Sequence, residues 1–181
     1  MSSEDVLLVL KAWATRENTA RKNVKRKGKR VFSDTFGLVN SRASRAPVLT
    51  QLSKRHPYLT RMLTQWLRSR NGQFPFTSIS LNVNYAAARH RDKRLGDRHR
   101  PYRLMARNNV GPSAIKAFGR FSGGKLRYWA RDSRSKKVAG LRRKEATELD
   151  VRSIQYFDGT RAHATWANTE KIYEKMVYKR R

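Results

Sequence analysis

The chain has 181 residues, with 42 Lys and Arg against 13 Asp and Glu, so its formal net charge is +29. This length suits one domain, and four Trp, seven Tyr and seven Phe supply apolar material for a core. The absence of Cys excludes disulfides, thiolate zinc sites, iron–sulfur clusters and a cysteine nucleophile. No apolar run has the length of a membrane span, and the acidic opening residues do not resemble a secretory signal.

The excess of positive charge indicates an anionic partner, because a chain this basic repels itself unless anions surround it. Nucleic acid is the expected partner, through phosphate neutralisation and counterion release, and an acidic membrane surface is the alternative. The cations form two clusters, at 16–30 and 89–107, with eight basic residues each. The first resembles a nuclear-localisation run, so we expect an intracellular protein, with the nucleus as one option. The predicted nucleic-acid contacts are Arg26, Lys27, Lys29, Arg30, Arg98, Arg100 and Arg103.

Helices are predicted in the first part of the chain. Ser2 or Ser3 can cap a helix whose apolar residues recur at helical spacing from Val6 to Trp13. Residues 31–46 look irregular. Pro57 then begins a second helix, which ends at Asn71-Gly72. Its apolar stripe, Leu59, Met62, Leu63, Trp66 and Leu67, is typical of core packing.

Strands are predicted in the second part of the chain, at 74–87, 113–121, 125–130, 147–157 and 171–179. A Ser-Gly-Gly turn between the second and third of these predicts a hairpin. The predicted fold is therefore α+β, with N-terminal helices followed by an antiparallel sandwich or a double-stranded β-helix (jelly-roll) core. We divide the chain into an N-terminal helical and basic region, 1–73, that packs on a core at 74–181.

Three residues that could bind a metal, His90, Asp92 and His163, have the spacing of a metal centre. His90 and Asp92 are two residues apart, so in an extended segment both side chains point to the same side. His163 follows 71 residues after Asp92, beyond a predicted strand and turn. Two imidazoles and one carboxylate are the facial triad of non-haem Fe(II) sites, which leaves coordination positions open for a co-substrate and dioxygen.

The spacing alone is weak evidence for this centre. With four His and seven Asp in 181 residues, about 0.15 His-x-Asp pairs are expected by chance. The structural alternatives are an exposed His90 in a basic loop and a His163 that packs in a turn against Trp166.

The residues around the triad strengthen the case. In chain order they are Phe76-Thr77-Ser78-Ile79, Asn82-Val83-Asn84-Tyr85, His90-Arg91-Asp92-Lys93, Asn108-Asn109-Val110-Gly111-Pro112-Ser113, the segment from Phe118 to Leu126, Phe157-Asp158-Gly159 and His163. This set resembles the Fe(II)/2-oxoglutarate dioxygenase superfamily, in the style of its TET/JBP-like and prolyl-hydroxylase-like domains and of uncharacterised algal and protist relatives. The resemblance covers roughly residues 74–165.

The resemblance implies a jelly-roll core that binds Fe(II) and 2-oxoglutarate. It implies His90, Asp92 and His163 as the iron ligands, and Asn82, Asn84 and Tyr85 as polar contacts to the co-substrate. Such enzymes decarboxylate 2-oxoglutarate to succinate while they hydroxylate a substrate.

Two features depart from the relatives. Residues 94–107, of which five are Arg, look like a basic insertion beside the iron site. Relatives also carry an Arg nine or ten residues after the last His, which binds the far carboxylate of 2-oxoglutarate. Those positions are Ile172 and Tyr173 here, so Lys171 and Lys175 are the nearest candidates for that role, with Arg161 as another substitute. A lysine binds a carboxylate as a point charge and not as a bidentate fork.

Two functions of different classes follow from these residues. The first is an Fe(II)/2-oxoglutarate-dependent dioxygenase that hydroxylates nucleic acid or a nucleic-acid-associated protein. The second is a non-catalytic basic protein that binds nucleic acid, or serves as a ribosome-like structural protein, on a degenerate dioxygenase scaffold.

Overall fold

A computed structural model describes residues 1–13, 15, 32–41, 46–83, 88–92, 112–119, 125–165 and 174–179, and of the last segment only the backbone. Within these residues the helices are α1 (Ser3–Ala12), α2 (Gln51–Arg55) and α3 (Pro57–Arg70). The strands are β1 (Phe32–Asn40), β2 (Pro47–Leu49), β3 (Ser78–Val83), β4 (Ser113–Phe118), β5 (Leu126–Tyr128), β6 (Thr147–Leu149), β7 (Gln155–Phe157), β8 (His163–Thr165) and β9 (Glu174–Lys179). None of the helices in the described segments has the length and apolar character that a membrane span requires.

The two predicted helices form for the reasons that the sequence indicates. Ser2 caps α1 in a capping box, in which the Ser2 hydroxyl accepts from the Asp5 N–H (3.1 Å) and the Asp5 carboxylate accepts from the Ser2 N–H (2.7 Å). Pro57 stands in the first turn of α3, and Asn71 caps its end. The apolar stripe of α3 faces the core, with Leu63, Trp66 and Leu67 fully buried.

The larger sheet has six antiparallel strands in the order β2-β1-β3-β9-β4-β7. Its strand β1 corrects the prediction that 31–46 is irregular, because β1 pairs with β3 over six residues, from Phe32 opposite Val83 to Gly37 opposite Ser78. The polar residues Ser33 and Asp34 concealed this strand from a reading by hydrophobic alternation, since both are buried in the sheet. A strand pair thus precedes α2 and α3, and the helices do not all come before the strands.

The smaller sheet has three antiparallel strands in the order β6-β5-β8. The predicted hairpin of 113–121 with 125–130 is wrong, because β4 pairs with β7 and β9 in the larger sheet while β5 pairs with β6 and β8 in the smaller one. The predicted strand region 147–157 likewise separates into β6 and β7, one in each sheet. The turn after β4 therefore does not pair β4 with β5.

Apolar residues cover both faces of the larger sheet. On the outer face, Phe36, Ile79 and Leu81 pack against α1 and α3 in one buried cluster. On the inner face, Ile115 of β4 packs with Leu126 of the smaller sheet in a second cluster. The architecture is therefore α+β, with a helical layer, a six-stranded sheet and a three-stranded sheet. The division at residues 73 and 74 stays a prediction, and the pairing of β1 with β3 runs across it.

Candidate metal centre

Backbone hydrogen bonds bring His90 and His163 together. The His90 N–H donates to the His163 carbonyl (3.0 Å), and the His163 N–H donates to the His90 carbonyl (2.9 Å). These reciprocal bonds make the two residues directly opposite partners of an antiparallel bridge at the edge of the smaller sheet. Opposite partners point to the same face, and the two imidazole centroids lie 4.3 Å apart.

Asp92 joins this face because it follows His90 by two residues in an extended segment. Its N–H donates to the Gly159 carbonyl (2.8 Å), which fixes the segment against the turn that precedes β8. One ligand atom from each of His90, Asp92 and His163 lies within 4.8 Å of the others. The structure thus brings together the three residues that the sequence selects, although 71 positions separate the last two.

Each imidazole is oriented by a hydrogen bond that its Nδ1 donates to a backbone carbonyl. The Nδ1 of His90 lies 2.7 Å from the Ala88 carbonyl oxygen, and the Nδ1 of His163 lies 2.9 Å from the Arg161 carbonyl oxygen. A carbonyl oxygen can only accept, so each Nδ1 must carry the hydrogen. In the neutral ring Nε2 then keeps its lone pair, which is the arrangement that metal-binding histidines use.

The surroundings of His163 restrict the movement of its ring. His163 is 5 % exposed, and the Phe157 ring meets it edge-on with the centroids 5.1 Å apart. Phe157 in turn packs edge-on against Tyr128. The His163 ring therefore packs against both Phe157 and the His90 ring.

The donor set fits a divalent transition metal. Two imidazole nitrogens and one carboxylate oxygen form the facial triad typical of non-haem Fe(II). Donors on one face of an octahedral ion with bonds of about 2.1 Å are about 3 Å apart. Since the three ligand atoms lie within 4.8 Å of one another, their side chains would have to approach one another by up to about 1.8 Å to share one ion.

Asp132 is a buried carboxylate that contacts Arg91 and Ala162, the chain neighbours of the candidate ligands. Its Oδ2 accepts from Arg91 Nε (2.6 Å), and its Oδ1 accepts from Arg91 Nη2 (2.5 Å). Burial alone would raise the pKa of Asp132, but the hydrogen bonds from Arg91 and from the N–H groups of Arg134 and Ala162 lower that pKa to about 2. Asp132 is thus a fixed negative charge at neutral pH.

The residues predicted to bind the co-substrate fall in three groups. Asn82 lies in β3, where it is fully buried and its Oδ1 accepts from the Ser33 hydroxyl (3.0 Å). Lys175 lies in β9, and its backbone is opposite Asn82 in the β3–β9 register. The remaining predicted residues, Asn84, Tyr85 and Lys171, are outside the described residues.

Arg161, the other candidate for the missing arginine, is engaged elsewhere. It forms a hydrogen bond with the Ala130 carbonyl and an ion pair with Asp158 (3.4 Å). The predicted nucleic-acid contacts all fall outside the described residues, as does the insertion 94–107: Arg26, Lys27, Lys29, Arg30, Arg98, Arg100 and Arg103.

Sequence reasoning missed the residues that surround the triad. Arg91 attracts no notice in a chain with 42 cations, and Asp132 follows it by 41 positions with no motif between them. Phe157 was part of the resemblance, but its contact with His163 joins strands of two different sheets, which the sequence does not reveal. Only the position of Arg91 between two candidate ligands offered a signal.

Comparison with solved structures shows a shared fold. The chain shares its fold with the crystal structure of an oxidoreductase of the 2OG-Fe(II) oxygenase family from Burkholderia pseudomallei. The two align with a TM-score of 0.55 and 13 % sequence identity, and the alignment covers 97 % of this chain and 76 % of that one. A prolyl-4-hydroxylase from Pseudomonas putida aligns with a TM-score of 0.49, 14 % identity, and coverage of 100 % and 89 %. No family model and no curated protein matches the sequence.

Proposed function

We propose that the chain is an Fe(II)/2-oxoglutarate-dependent dioxygenase that hydroxylates its substrate. The observation that carries this proposal is the convergence of His90, Asp92 and His163 on one face, within 4.8 Å, with both imidazoles oriented through Nδ1. The shared fold with an oxygenase-family structure supports the same conclusion. These three residues would hold the iron, which supplies activation of dioxygen and a chelation point for 2-oxoglutarate.

The reaction balances with dioxygen as the oxidant. One oxygen atom enters the substrate C–H bond as a hydroxyl group, and the other enters the succinate that remains after 2-oxoglutarate loses CO₂. The protein's own contribution is to hold two neutral imidazoles and one carboxylate on one side of the ion, which keeps the opposite side open. Phe157 and the buried position of His163 restrict the movement of that ligand's ring.

A polar sector of the inner sheet face is our candidate for the co-substrate pocket. Ser80 lies on the same face as Ile115, because both are opposite Val177 in the register of β9, and Ile115 packs towards the smaller sheet. Ser80 lies 3.0 Å from the Thr35 hydroxyl, oxygen to oxygen. This wall of hydroxyl and amide groups, with Asn82 at one end, would suit a dicarboxylate.

Lys175 would supply the positive charge of that pocket, because its backbone is opposite Asn82. It would take the place of the arginine that relatives carry on this strand, and Lys171, Asn84 and Tyr85 remain further candidates. The two sheets would then be the walls of a double-stranded β-helix, with residues 1–73 packed on a core at 74–181.

We propose nucleic acid, or a protein bound to it, as the substrate, in a TET/JBP-like or a prolyl-hydroxylase-like role. A specific surface supports an anionic partner. Exposed cations occupy the segment that follows β5, around a cavity of about 600 Å³ that Trp129 and Asp132 also line. Of the exposed cations in this segment, Arg131, Lys136 and Lys144 line the cavity, and Lys137, Arg142 and Arg143 do not.

The same surface favours the second candidate function, a non-catalytic basic protein that binds nucleic acid. The two functions differ in what the triad does. In a binding protein, substitution of the triad leaves nucleic-acid affinity unchanged, and that affinity falls steeply with salt because cations release condensed counterions.

The test is succinate formation from 2-oxoglutarate under air with added Fe(II) and a reductant. We expect turnover by the natural chain and its loss in His163→Ala and Asp92→Ala, with His56→Ala as the matched control because His56 lies at the start of α3. Turnover that persists in both triad variants would refute the dioxygenase assignment. Absence of turnover, together with salt-dependent nucleic-acid binding that survives both substitutions, would establish the binding protein instead.

A further inference from the structure

The carboxylate of Asp132 connects the two segments that carry the triad. It accepts two hydrogen bonds from Arg91, which stands between His90 and Asp92 in the chain. Its Oδ2 also accepts from the N–H of Ala162 (2.8 Å), the residue before His163. One buried side chain therefore holds the neighbours of all three triad residues.

The loop after Asp132 forms two more hydrogen bonds with the segment that carries His90 and Asp92. The Arg134 N–H donates to Asp132 Oδ1 (2.9 Å), and Arg134 Nη2 reaches the Asp92 carbonyl at 3.4 Å. Arg91 Nη2 also donates to the Lys136 carbonyl (3.0 Å). Arg134 has a φ of 69°, the left-handed region that non-glycine residues seldom adopt. The surrounding hydrogen bonds hold the backbone in this conformation.

We propose that Asp132 and Arg91 are positioning residues that set the spacing of the triad and thereby its affinity for a metal ion. The inference rests on the proposed function, since it takes His90, Asp92 and His163 as the ligands. Nothing in the sequence pattern assigns either residue a role, and neither is one of the three candidate ligands.

The geometry of the pair explains why it can act at this distance. Arg91 is bound through Nε and one Nη in a fork, with its side chain 16 % exposed and that of Asp132 1 % exposed. A fork fixes both distance and direction, which a single point charge does not. Main-chain bonds hold the two segments together at the bridge between His90 and His163 and from the Asp92 N–H to the Gly159 carbonyl. Asp132 adds a side-chain link between Arg91 and Ala162, which further restricts the movement of one segment relative to the other.

The size of the effect follows from other metal sites. Residues that orient metal ligands without touching the metal change its affinity about 10–100-fold when they are substituted. Asp132→Asn keeps the shape of the side chain but replaces one acceptor oxygen with a donor and removes the charge. Arg91→Lys keeps the charge and removes the fork. We expect both variants to bind metal about 10–100-fold more weakly.

A purely structural ion pair is the competing explanation, and it makes a different prediction. If the pair were purely structural, its substitution would lower the midpoint of thermal unfolding but leave the affinity of the folded protein for metal unchanged. Asp150→Asn is the matched control, because Asp150 forms a close ion pair with Arg152 (2.5 Å) in the exposed turn between β6 and β7. It removes the same carboxylate–guanidinium interaction with no described contact to the triad.

The experiment is a titration of the full chain with Co²⁺ in the absence of oxygen, followed by visible absorption and by calorimetry, at a temperature where each variant is folded. We expect the natural chain and Asp150→Asn to bind one ion with equal affinity. Asp132→Asn and Arg91→Lys should bind about 10–100-fold more weakly and show a shifted cobalt spectrum. The double variant should bind no more weakly than Asp132→Asn alone, because the two residues act as one unit.

If the natural chain and the folded Arg91→Lys variant bind Co²⁺ with equal affinity, the inference is wrong. Binding of Co²⁺ by the natural chain would still support the metal centre in that case. Failure of the natural chain itself to bind Co²⁺ would overturn the proposed function and the inference together. If Asp132→Asn does not fold, Arg91→Lys decides the question, since it keeps a cation opposite Asp132.

Discussion

The pair of Asp132 and Arg91 predicts a specific dependence of stability on pH. Hydrogen bonds from Arg91 and from two backbone N–H groups outweigh burial and lower the pKa of Asp132 from 3.8 to about 2. A carboxyl whose pKa is lowered in the folded protein stabilises the fold above its unfolded pKa, and this stability is lost as the pH falls through the folded value. The relevant window therefore runs from about pH 4 down to about pH 2.

The magnitude follows from the shift. At about 1.4 kcal/mol per unit, the ionised form of Asp132 contributes about 2 kcal/mol at pH 7 and about 1 kcal/mol at pH 3. Asp132→Asn removes this contribution at every pH. The difference in free energy of unfolding between the natural chain and Asp132→Asn should therefore shrink by about 1 kcal/mol between pH 7 and pH 3.

The assay is urea unfolding at pH 7, 5, 4 and 3 at constant ionic strength, followed by Trp fluorescence. The control is Asp150→Asn: hydrogen bonds from Arg152 lower the pKa of Asp150 to about 2, but this pair is exposed and solvent screens it. We expect the control to differ little from the natural chain. A difference for Asp132→Asn that stays constant from pH 7 to pH 3 would refute the reasoning.

Three further predictions follow from the fold and the proposed pocket. Gly37→Ala should destabilise the chain by about 1–3 kcal/mol or more in urea unfolding. The reason is that Gly37 has a φ of +88° and that a Cβ there would lie 2.3 Å from the Thr77 carbonyl oxygen. An unchanged unfolding midpoint would contradict the geometry of the β1–β3 pair. Leu63→Ala should cost about 2–5 kcal/mol by the same assay, since Leu63 is fully buried between α3 and the larger sheet, and a loss below 1 kcal/mol would argue against that layer. Asn82→Ala should raise the KM for 2-oxoglutarate while Co²⁺ affinity stays the same, and an unchanged KM would remove Asn82 from the proposed pocket.

The sequence predicts best where local signals and burial agree. The capping residue Ser2 and the apolar stripe of α3 predicted both of those helices, because an amphipathic helix facing a core leaves a clear period. The triad was also accessible, since His90 and Asp92 have the spacing of an extended segment and histidine is scarce in the chain.

The sequence predicts worst where partners lie far apart in the chain. Strand β1 was missed because Ser33 and Asp34 are polar but buried, so the strand lacks the alternation that marks a half-buried sheet. The hairpin of β4 with β5 was wrong because a turn motif fixes the reversal of the chain and not the sheet that each strand joins. Asp132 could not be selected either, since its partner Arg91 is 41 residues away.

The most direct test of the metal centre is the stoichiometry of metal binding under anaerobic conditions. Equilibrium dialysis of the natural chain against Fe(II) should give one ion per chain, and His163→Ala, Asp92→Ala and His90→Ala should each reduce this to near zero while circular dichroism shows a folded protein. An Fe(II) content that is the same in the natural chain and in the His163→Ala variant would contradict the assignment of these three residues as ligands.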